Sequence, residues 1–139
     1  MYAYEHAFDD CEVKQWLDTQ KRGYREDGFG LWAVLKKPSL EMIGQCGLTL
    51  QACEEKQVLE VGYLFQRAYW HRGFAIEAAR ACRDYAFASL GAQEVYSIIR
   101  DTNLPSQKVA RRNGMVLRGR MLKQYYNMEM PHLIYSIRR

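Results

Sequence analysis

The residues best suited to chemistry surround a glycine-containing loop in the middle of the chain. The loop reads Trp-His-Arg-Gly-Phe-Ala over residues 70–75, after an apolar run at residues 58–65 and before a stretch with apolar side chains every three or four positions. This order predicts a buried strand, a turn and an amphipathic helix. The free N–H groups of a first helical turn converge with the positive end of the helix dipole, so the loop predicts a phosphate site.

One acidic side chain, Glu60, interrupts the apolar run. Side chains alternate across a strand, which groups Leu59, Val61, Tyr63 and Phe65 on one face, and we assign that face to the core. Glu60 then projects from the opposite face. A carboxylate in so apolar a run is expected to be paired, neutral or functional.

The rest of the chain predicts the elements that position these groups. A helix is expected from residue 9 to about residue 24, with Gly23 ending it. Further strands are expected at residues 28–37, 41–50, 94–100, 115–122 and 133–137, and a short helix between Asn103 and Gly114. The expected order is helix, three strands, helix, strand, helix and two strands. This order predicts an α/β (α+β) fold with a mixed, mostly antiparallel twisted sheet flanked by helices.

Length and composition favour one domain over residues 1–139. The chain is 48% hydrophobic and 26% charged, as soluble globular domains are. No apolar run approaches the roughly 20 residues of a membrane-spanning helix. The amino terminus lacks the order of a signal peptide, so a cytoplasmic protein is expected. A net charge of +4 is mild for a nucleic-acid binder, which makes that function improbable.

The cysteines and histidines predict no metal site. Cys11, Cys46, Cys53 and Cys82 form no C-x-x-C pair, and the histidines lie far apart in the sequence. We expect four reduced, mostly buried thiols.

Two blocks of residues resemble the GNAT superfamily of acetyl-coenzyme A (acetyl-CoA) dependent N-acetyltransferases. The superfamily's cofactor loop reads Gln or Arg, two residues, Gly, one residue, Gly or Ala. This sequence matches at Gly73 and Ala75, with Trp70 first, as is usual in the branch of ribosomal-protein N-terminal acetyltransferases. Asn103, Ser106 and residues 113–115 are similar to the family's Asn-x-x-Ser helix and following strand entry. The order and spacing of the two blocks make the resemblance specific.

The resemblance implies a site for acetyl-CoA as co-substrate. Backbone groups at the end of the apolar strand would pair with the pantetheine arm, and the loop N–H groups would hold the pyrophosphate. Arg67 and Arg72 either add charge toward the phosphates or are solvated surface arginines. The cofactor-binding residues implied are Tyr63, Leu64, Phe65, His71, Arg72, Gly73, Phe74, Ala75 and Asn103.

The resemblance also implies catalytic roles for Glu60 and Ser106. A glutamate in this strand commonly serves as general base in the family, often through water. Many members protonate the leaving thiolate with a tyrosine, whose position is taken here by Ala110. The ribosomal-protein branch places a serine for this role, and that serine matches Ser106. The structural alternatives are an ion pair for Glu60 and a backbone hydrogen bond for Ser106.

The acceptor is expected to be a primary amine, foremost the N-terminal α-amine of a protein or peptide. With reference pKa values near 7.8 and 10.4, the neutral fraction at pH 7 is a few hundredfold larger for an α-amine than for lysine. A small-molecule amine (an amino sugar, polyamine or amino acid) and a non-catalytic acyl-CoA binding module remain alternatives. Acidic residues lining the acceptor groove would favour a cationic acceptor. Trp32, Tyr63 and Tyr125 are candidates to line it, although strand aromatics are more often core.

Members of this branch begin with a strand and a helix for which this sequence shows no counterpart. We therefore expect a domain that is incomplete at its amino terminus, or one whose open edge another element or a partner chain fills. An uncovered sheet edge promotes association, which makes a homodimer one expected solution.

Overall fold

A computed structural model describes residues 8–125 and 128–139, without the side chains of residues 124 and 125. The helices are α1 (Asp10–Glu26), α2 (Phe74–Ala88) and α3 (Leu104–Arg112), and a short 3₁₀ turn covers Arg67–Tyr69. The strands are β1 (Leu31–Lys36), β2 (Glu41–Cys53), β3 (Lys56–Phe65), β4 (Glu94–Arg100), β5 (Val116–Tyr125) and β6 (Met128–Arg138). The predicted order of elements is confirmed.

The strands form one sheet in the order β1-β2-β3-β4-β6-β5. Every neighbouring pair is antiparallel except β3 and β4, which are parallel. The sheet is therefore mixed and mostly antiparallel, as the sequence predicts. None of the described helices is both long and apolar enough to cross a membrane.

The sheet is buried on both faces in the region of β3. Helix α2 packs on one face, where its buried residues Ala79, Cys82 and Ala86 join Val61 and other strand residues in the main core. The opposite face carries a second apolar cluster, formed by Cys53, Val58, Tyr96, Ile98 and Ile134. Because Glu60 alternates with Val61 along β3, its side chain projects toward this second cluster.

Helix α1 runs further than predicted, since Gly23 lies inside it and does not end it. Asp9 caps the first turn through a capping box with Glu12. At the other end, the N–H groups of Asp27 and Gly28 both donate to the carbonyl of Gly23, at 2.8 and 3.2 Å. Gly28 has a φ of 80° and is the residue that supplies the left-handed termination.

The hairpin of β2 and β3 is also longer than the apolar pattern predicts. Strand β2 continues to Cys53 and β3 begins at Lys56, so only Glu54 and Glu55 form the connection. Both residues have positive φ values, 48° and 67°, as a tight two-residue hairpin requires. The usual Asn-Gly marker of such a turn is absent, which is why the polar run resembled a longer break.

Strands β3 and β4 part soon after they meet. Their parallel pairing includes Glu60 and Tyr96, and side chains make the next links across the gap. The Ser97 hydroxyl donates to the carbonyl of Val61 at 2.9 Å, and the N–H of Ile98 donates to the Glu60 carboxylate at 2.7 Å. The two strands therefore open a wedge toward their carboxyl ends, at the centre of the sheet.

Candidate active site

A cavity of about 340 Å³ opens where β3 ends and helices α2 and α3 begin. It contains nine of the eleven site residues that the sequence predicts. Its lining comprises Tyr63, Leu64, Phe65, Tyr69, Trp70, His71, Gly73, Phe74, Ala75, Ile76, Asn103, Pro105, Ser106, Lys108, Val109 and Arg112. Arg72 and Glu60 are the two predicted residues that do not line it. The cavity joins the two sequence blocks that carry the family resemblance.

The glycine turn presents the amino terminus of α2 to the cavity. Gly73 is the N-cap residue, with a φ of 82°, and it provides no capping side chain. A Cβ at this position would meet no atom within 4 Å, so Gly73 leaves space open at the cavity wall. His71 also has a positive φ, 61°. Since the first N–H groups of a helix have no intrahelical acceptor, they are available to an anion in the cavity.

Aromatic side chains hold the loop that precedes this turn. The indole N–H of Trp70 donates to the carbonyl of Phe65 at 2.8 Å, which ties the loop to the end of β3. The carbonyl of Phe65 is therefore already hydrogen-bonded within the protein. The sequence predicts instead a free strand edge at this residue for the pantetheine arm. Trp70 therefore has a clear structural role in the first position of the motif.

The side chains of Arg67 and Arg72 stack on aromatic rings. The Arg67 guanidinium lies 5.6 Å from the Trp70 ring centre, and that of Arg72 lies 5.4 Å from Tyr69 and 5.2 Å from Phe74. Cation–π contacts of this kind stabilise the loop. The structure accordingly does not bring the Arg72 side chain into the cavity, where sequence reasoning placed its charge.

Two other basic side chains line the cavity, and sequence reasoning did not assign them to it. Lys108 and Arg112 lie four residues apart on α3, so they share one side of the helix. The available signal was this i, i+4 spacing downstream of Asn103. Both are exposed, as expected for cations at the mouth of an anion site.

The start of α3 places Asn103 and Ser106 in the cavity wall. The Asn103 side chain caps the helix by accepting the N–H of Ser106 at 3.2 Å. The Tyr63 hydroxyl donates to the Ser106 carbonyl at 2.7 Å, joining β3 to α3 across the wedge. The hydroxyl of Ser106 has no hydrogen bond to any residue in the described part of the chain, so the backbone-bonding alternative does not apply there.

Ala110 is buried in the main core, on the side of α3 away from the cavity lining. Its neighbour Gln107 is also buried and donates to the carbonyls of Arg100 and Asp101 at 3.4 and 2.9 Å. This contact fixes α3 against the end of β4. The helix therefore presents Ser106, rather than residue 110, to the site.

Glu60 lies on the opposite face of the sheet from α2, beside the wedge. One carboxylate oxygen accepts the N–H of Ile98, and Glu60 is half-buried. Burial raises the pKa of Glu60 above its ordinary value, against smaller lowering effects from the Ile98 N–H and the charge of Lys123. Glu60 makes no ion pair with any described residue, so the structural ion-pair alternative does not account for it.

The three aromatic residues predicted as candidates to line an acceptor groove lie in different surroundings. Trp32 packs edge-on against Tyr85 of α2, with ring centres 5.7 Å apart, and so belongs to the packing of the core face. Tyr63 lines the cavity. The side chain of Tyr125 lies outside the described part of the structure.

The cysteines follow the sequence expectation. All four are free thiols; Cys46, Cys53 and Cys82 are buried and Cys11 is exposed. The sulfurs of Cys46 and Cys82 lie 3.7 Å apart between β2 and α2, and this contact, together with burial, raises the pKa of Cys46. Within residues 8–125 and 128–139, no group of three His, Cys, Asp or Glu residues could hold a metal ion.

Comparison with known proteins identifies the family. The model of the acetyltransferase (GNAT) domain matches residues 1–116. The uncharacterized protein YkkB of Bacillus subtilis (strain 168) is 36% identical over 115 residues, which are 83% of this chain and 67% of that protein.

Solved structures show the same fold. A putative GnaT-family acetyltransferase from Bordetella pertussis superposes with a TM-score of 0.82 at 22% identity, covering 97% of this chain and 81% of that one. The ribosomal-protein-S5-alanine acetyltransferase from Vibrio fischeri gives a TM-score of 0.77 at 20% identity, covering 97% and 78%. At these identities the structural likeness concerns the fold alone. Together with the match to the family model, it shows that the chain belongs to the GNAT acetyltransferase family and is an acyltransferase.

Proposed function

We propose that this protein transfers an acetyl group from acetyl-CoA to the N-terminal α-amine of a protein or peptide. The observation that carries the proposal is the wedge between β3 and β4. The cavity at the start of α2 and α3 lies on one side of the sheet, and the half-buried carboxyl group of Glu60 lies on the other. A thioester in the wedge would be open to an amine approaching from the Glu60 side.

The residues of the cavity fit coenzyme A. The free N–H groups at the start of α2 suit the pyrophosphate, and the space beside Gly73 allows close approach to the backbone. The exposed cations Lys108 and Arg112 add positive charge at the same mouth. When bound, acetyl-CoA supplies a thioester whose carbonyl carbon accepts the amine. Beyond Glu60, the backbone of β3 at Tyr63 and Leu64 supplies an edge for the pantetheine arm.

Glu60 has the properties of a general base for this reaction. A base is most effective when its pKa lies near the working pH, and burial moves the pKa of Glu60 in that direction. As the amine nitrogen bonds to the acetyl carbon, its proton passes to Glu60, directly or through water. The carbon–sulfur bond breaks, and its electron pair leaves on the sulfur of coenzyme A.

In the proposed reaction, Ser106 serves the leaving thiolate. Its side chain lines the cavity, and its helix is held by the Asn103 cap and by the Tyr63 hydroxyl. A hydroxyl that makes no internal hydrogen bond in the described structure can donate to a developing negative charge.

The α-amine preference is tested by matched peptide acceptors. One peptide has a free α-amine and no lysine, and the other is Nα-acetylated with a single lysine. Release of free coenzyme A should give a kcat/KM at pH 7 about a hundredfold higher for the α-amine, following its larger neutral fraction. Equal or faster acetylation of the lysine peptide would refute the proposed acceptor.

Ser106→Ala tests the leaving-group role within the same assay. We expect kcat to fall by about tenfold to a hundredfold, with the affinity for coenzyme A retained. Ser89→Ala is the matched control, because Ser89 is an exposed C-cap residue at the far end of α2. An unchanged kcat in Ser106→Ala would remove the serine from the mechanism.

A further inference from the structure

Three basic side chains lie near one another on the sheet face that carries Glu60. Arg100 of β4 pairs with His132 of β6, and Lys123 of β5 lies two residues beyond Met121, the β5 partner of His132. Cross-strand partners share a face, and Met121 packs on the second apolar cluster beside Val58. We call Arg100, Lys123 and His132 the basic cluster.

Charge effects link Lys123 to Glu60, and they link both Lys123 and Arg100 to His132. Lys123 lowers the pKa of Glu60, opposing the larger effect of burial. Burial lowers the pKa of His132, and its hydrogen bond to the Met130 carbonyl opposes this effect. The charges of Lys123 and Arg100 lower the pKa further, and Asp101 raises it. His132 is therefore neutral at physiological pH, and its Nδ1 donates to the Met130 carbonyl at 2.9 Å. The lasting positive charge belongs to Arg100 and Lys123.

Arg100 is half-buried, and it lacks the anionic partner that an arginine in the interior of a sheet usually has. Its Nε atom is buried without a hydrogen-bond acceptor, and no carboxylate among the described residues lies within ion-pair distance of it. Glu94 at the opposite end of β4 is a useful contrast, since it accepts from Ser136 and Tyr96 and pairs with Arg138. A buried, unpaired guanidinium N–H calls for an acceptor, and carboxylates are its strongest partners.

Arg100 lies close to Glu60, where the proposed reaction holds the acceptor amine. Arg100 is the last residue of β4, two positions beyond Ile98, whose N–H holds the Glu60 carboxylate. On a strand, two positions correspond to roughly 7 Å. An amine held at Glu60 could therefore place a carboxylate from its own first or second residue at Arg100.

We propose that the basic cluster binds a carboxylate of the acceptor, so that the enzyme prefers amines carrying an acidic group close to the reacting nitrogen. This inference rests on the proposed N-acetyltransferase function and narrows its substrate class. The carboxylate can come from an acidic residue at the start of a peptide or from a free amino acid. A polyamine is disfavoured, because Arg100 and Lys123 would repel its additional charges.

Matched acceptors test the preference. The peptide pair begins with Asp or Asn and is otherwise identical with amidated carboxyl ends; the small-molecule pair is alanine and alaninamide, compared per neutral amine. In at least one pair the carboxylate member should have a kcat/KM about tenfold or more higher. The pair that responds identifies the source of the carboxylate. Equal values within both pairs would overturn the inference.

Variants then assign the preference to the cluster. Arg100→Gln and Lys123→Gln should each reduce the preference severalfold. Arg120→Gln should leave it intact, because Arg120 is exposed, lies on the same strand as Lys123 and pairs with Leu133 of the core face. A preference that survives both cluster variants would refute the assignment.

A binding measurement separates failure of this inference from failure of the proposed function. Calorimetry on the protein loaded with coenzyme A needs no turnover, and it should show tighter binding of the carboxylate member, weakened by Arg100→Gln. Such binding without coenzyme A release from any amine would support the carboxylate site and reject the N-acetyltransferase function. Turnover without selective binding or a rate preference would support the N-acetyltransferase function and reject the carboxylate site.

Discussion

Glu60 makes a structural hydrogen bond and has a raised pKa. Its carboxylate accepts the Ile98 N–H across the parting strands, yet burial raises its pKa. A carboxylate selected only for stability would be expected to have a charged partner, and none of the described residues provides one within ion-pair distance. The residue is therefore held in place without being fully stabilised in its ionised form.

The raised pKa predicts how Glu60 affects stability as pH changes. The folded protein holds the Glu60 proton more tightly than the unfolded chain, whose glutamate pKa is about 4.3. Stability is therefore lost as pH rises from about 4.3 through the folded pKa. Glu60→Gln keeps an acceptor for the Ile98 N–H and abolishes ionisation. Denaturant unfolding should show this variant gaining stability relative to the wild type across that pH window.

The opposite trend would contradict this description of Glu60. If the wild type gained stability over Glu60→Gln as pH rose, the folded state would be stabilising the charged carboxylate. Glu26→Gln provides the control, since Glu26 is exposed at the end of α1.

The sequence revealed some site residues and concealed others. Glu60 was visible because it breaks an apolar run, and Gly73 because it stands between a strand and a helix. The stacking of Arg72 on Tyr69 and Phe74 depends on rotamers, which no local pattern specifies. The missing partner of Arg100 depends on strands that are distant in the sequence, so only the fold could reveal it.

At the scale of elements, the amino terminus of α2 is the feature on which cofactor binding depends. Gly73 holds a left-handed conformation at the point where the loop becomes a helix, and the cavity lies against it. The helix has no capping side chain to occupy its first N–H groups. This arrangement leaves the helix terminus available to a ligand.

Gly73→Val should abolish most affinity for coenzyme A. A side chain at a left-handed position costs about 1–2 kcal/mol of stability, and here it also projects into space beside the cavity. Gly91→Val is a matched control, because Gly91 has a φ of 67° and equally open surroundings but does not line the cavity. Calorimetry should show at least about a tenfold loss of affinity for Gly73→Val alone.

Equal loss of affinity in the two glycine variants would contradict the assignment of the loop. The effect would then come from reduced stability rather than from the cavity wall. Denaturant unfolding of both variants establishes that they are destabilised to a similar degree.

Element order was predictable, whereas the geometry between elements was not. Alternating and apolar runs identified every strand, and Asn103 marked the start of α3. The separation of β3 from β4 corresponds to no pattern in the sequence, because it depends on how the two backbones pair. Only the side chains of Ser97 and Glu60 make the described links across the gap, and single residues form no recognisable pattern. The turn at Glu54 and Glu55 was hidden because these residues seldom adopt positive φ.

At the scale of the whole molecule, basic residues lie on both sides of the wedge. Lys108 and Arg112 line the cavity on the helical face, and Arg100 and Lys123 belong to the basic cluster on the Glu60 face. These four residues contribute to the net charge of +4. This distribution suits an anionic co-substrate on one side and an acidic acceptor on the other.

The proposed role of Glu60 is tested by the rate of coenzyme A release by Glu60→Gln with an α-amine peptide. We predict that kcat/KM falls by about a hundredfold or more while coenzyme A affinity is unchanged, and that the wild-type dependence on the ionised form of Glu60 disappears from the pH–rate profile. Glu26→Gln should keep the wild-type rate. A Glu60→Gln variant with wild-type kcat/KM and an unaltered pH profile would show that Glu60 is not the general base.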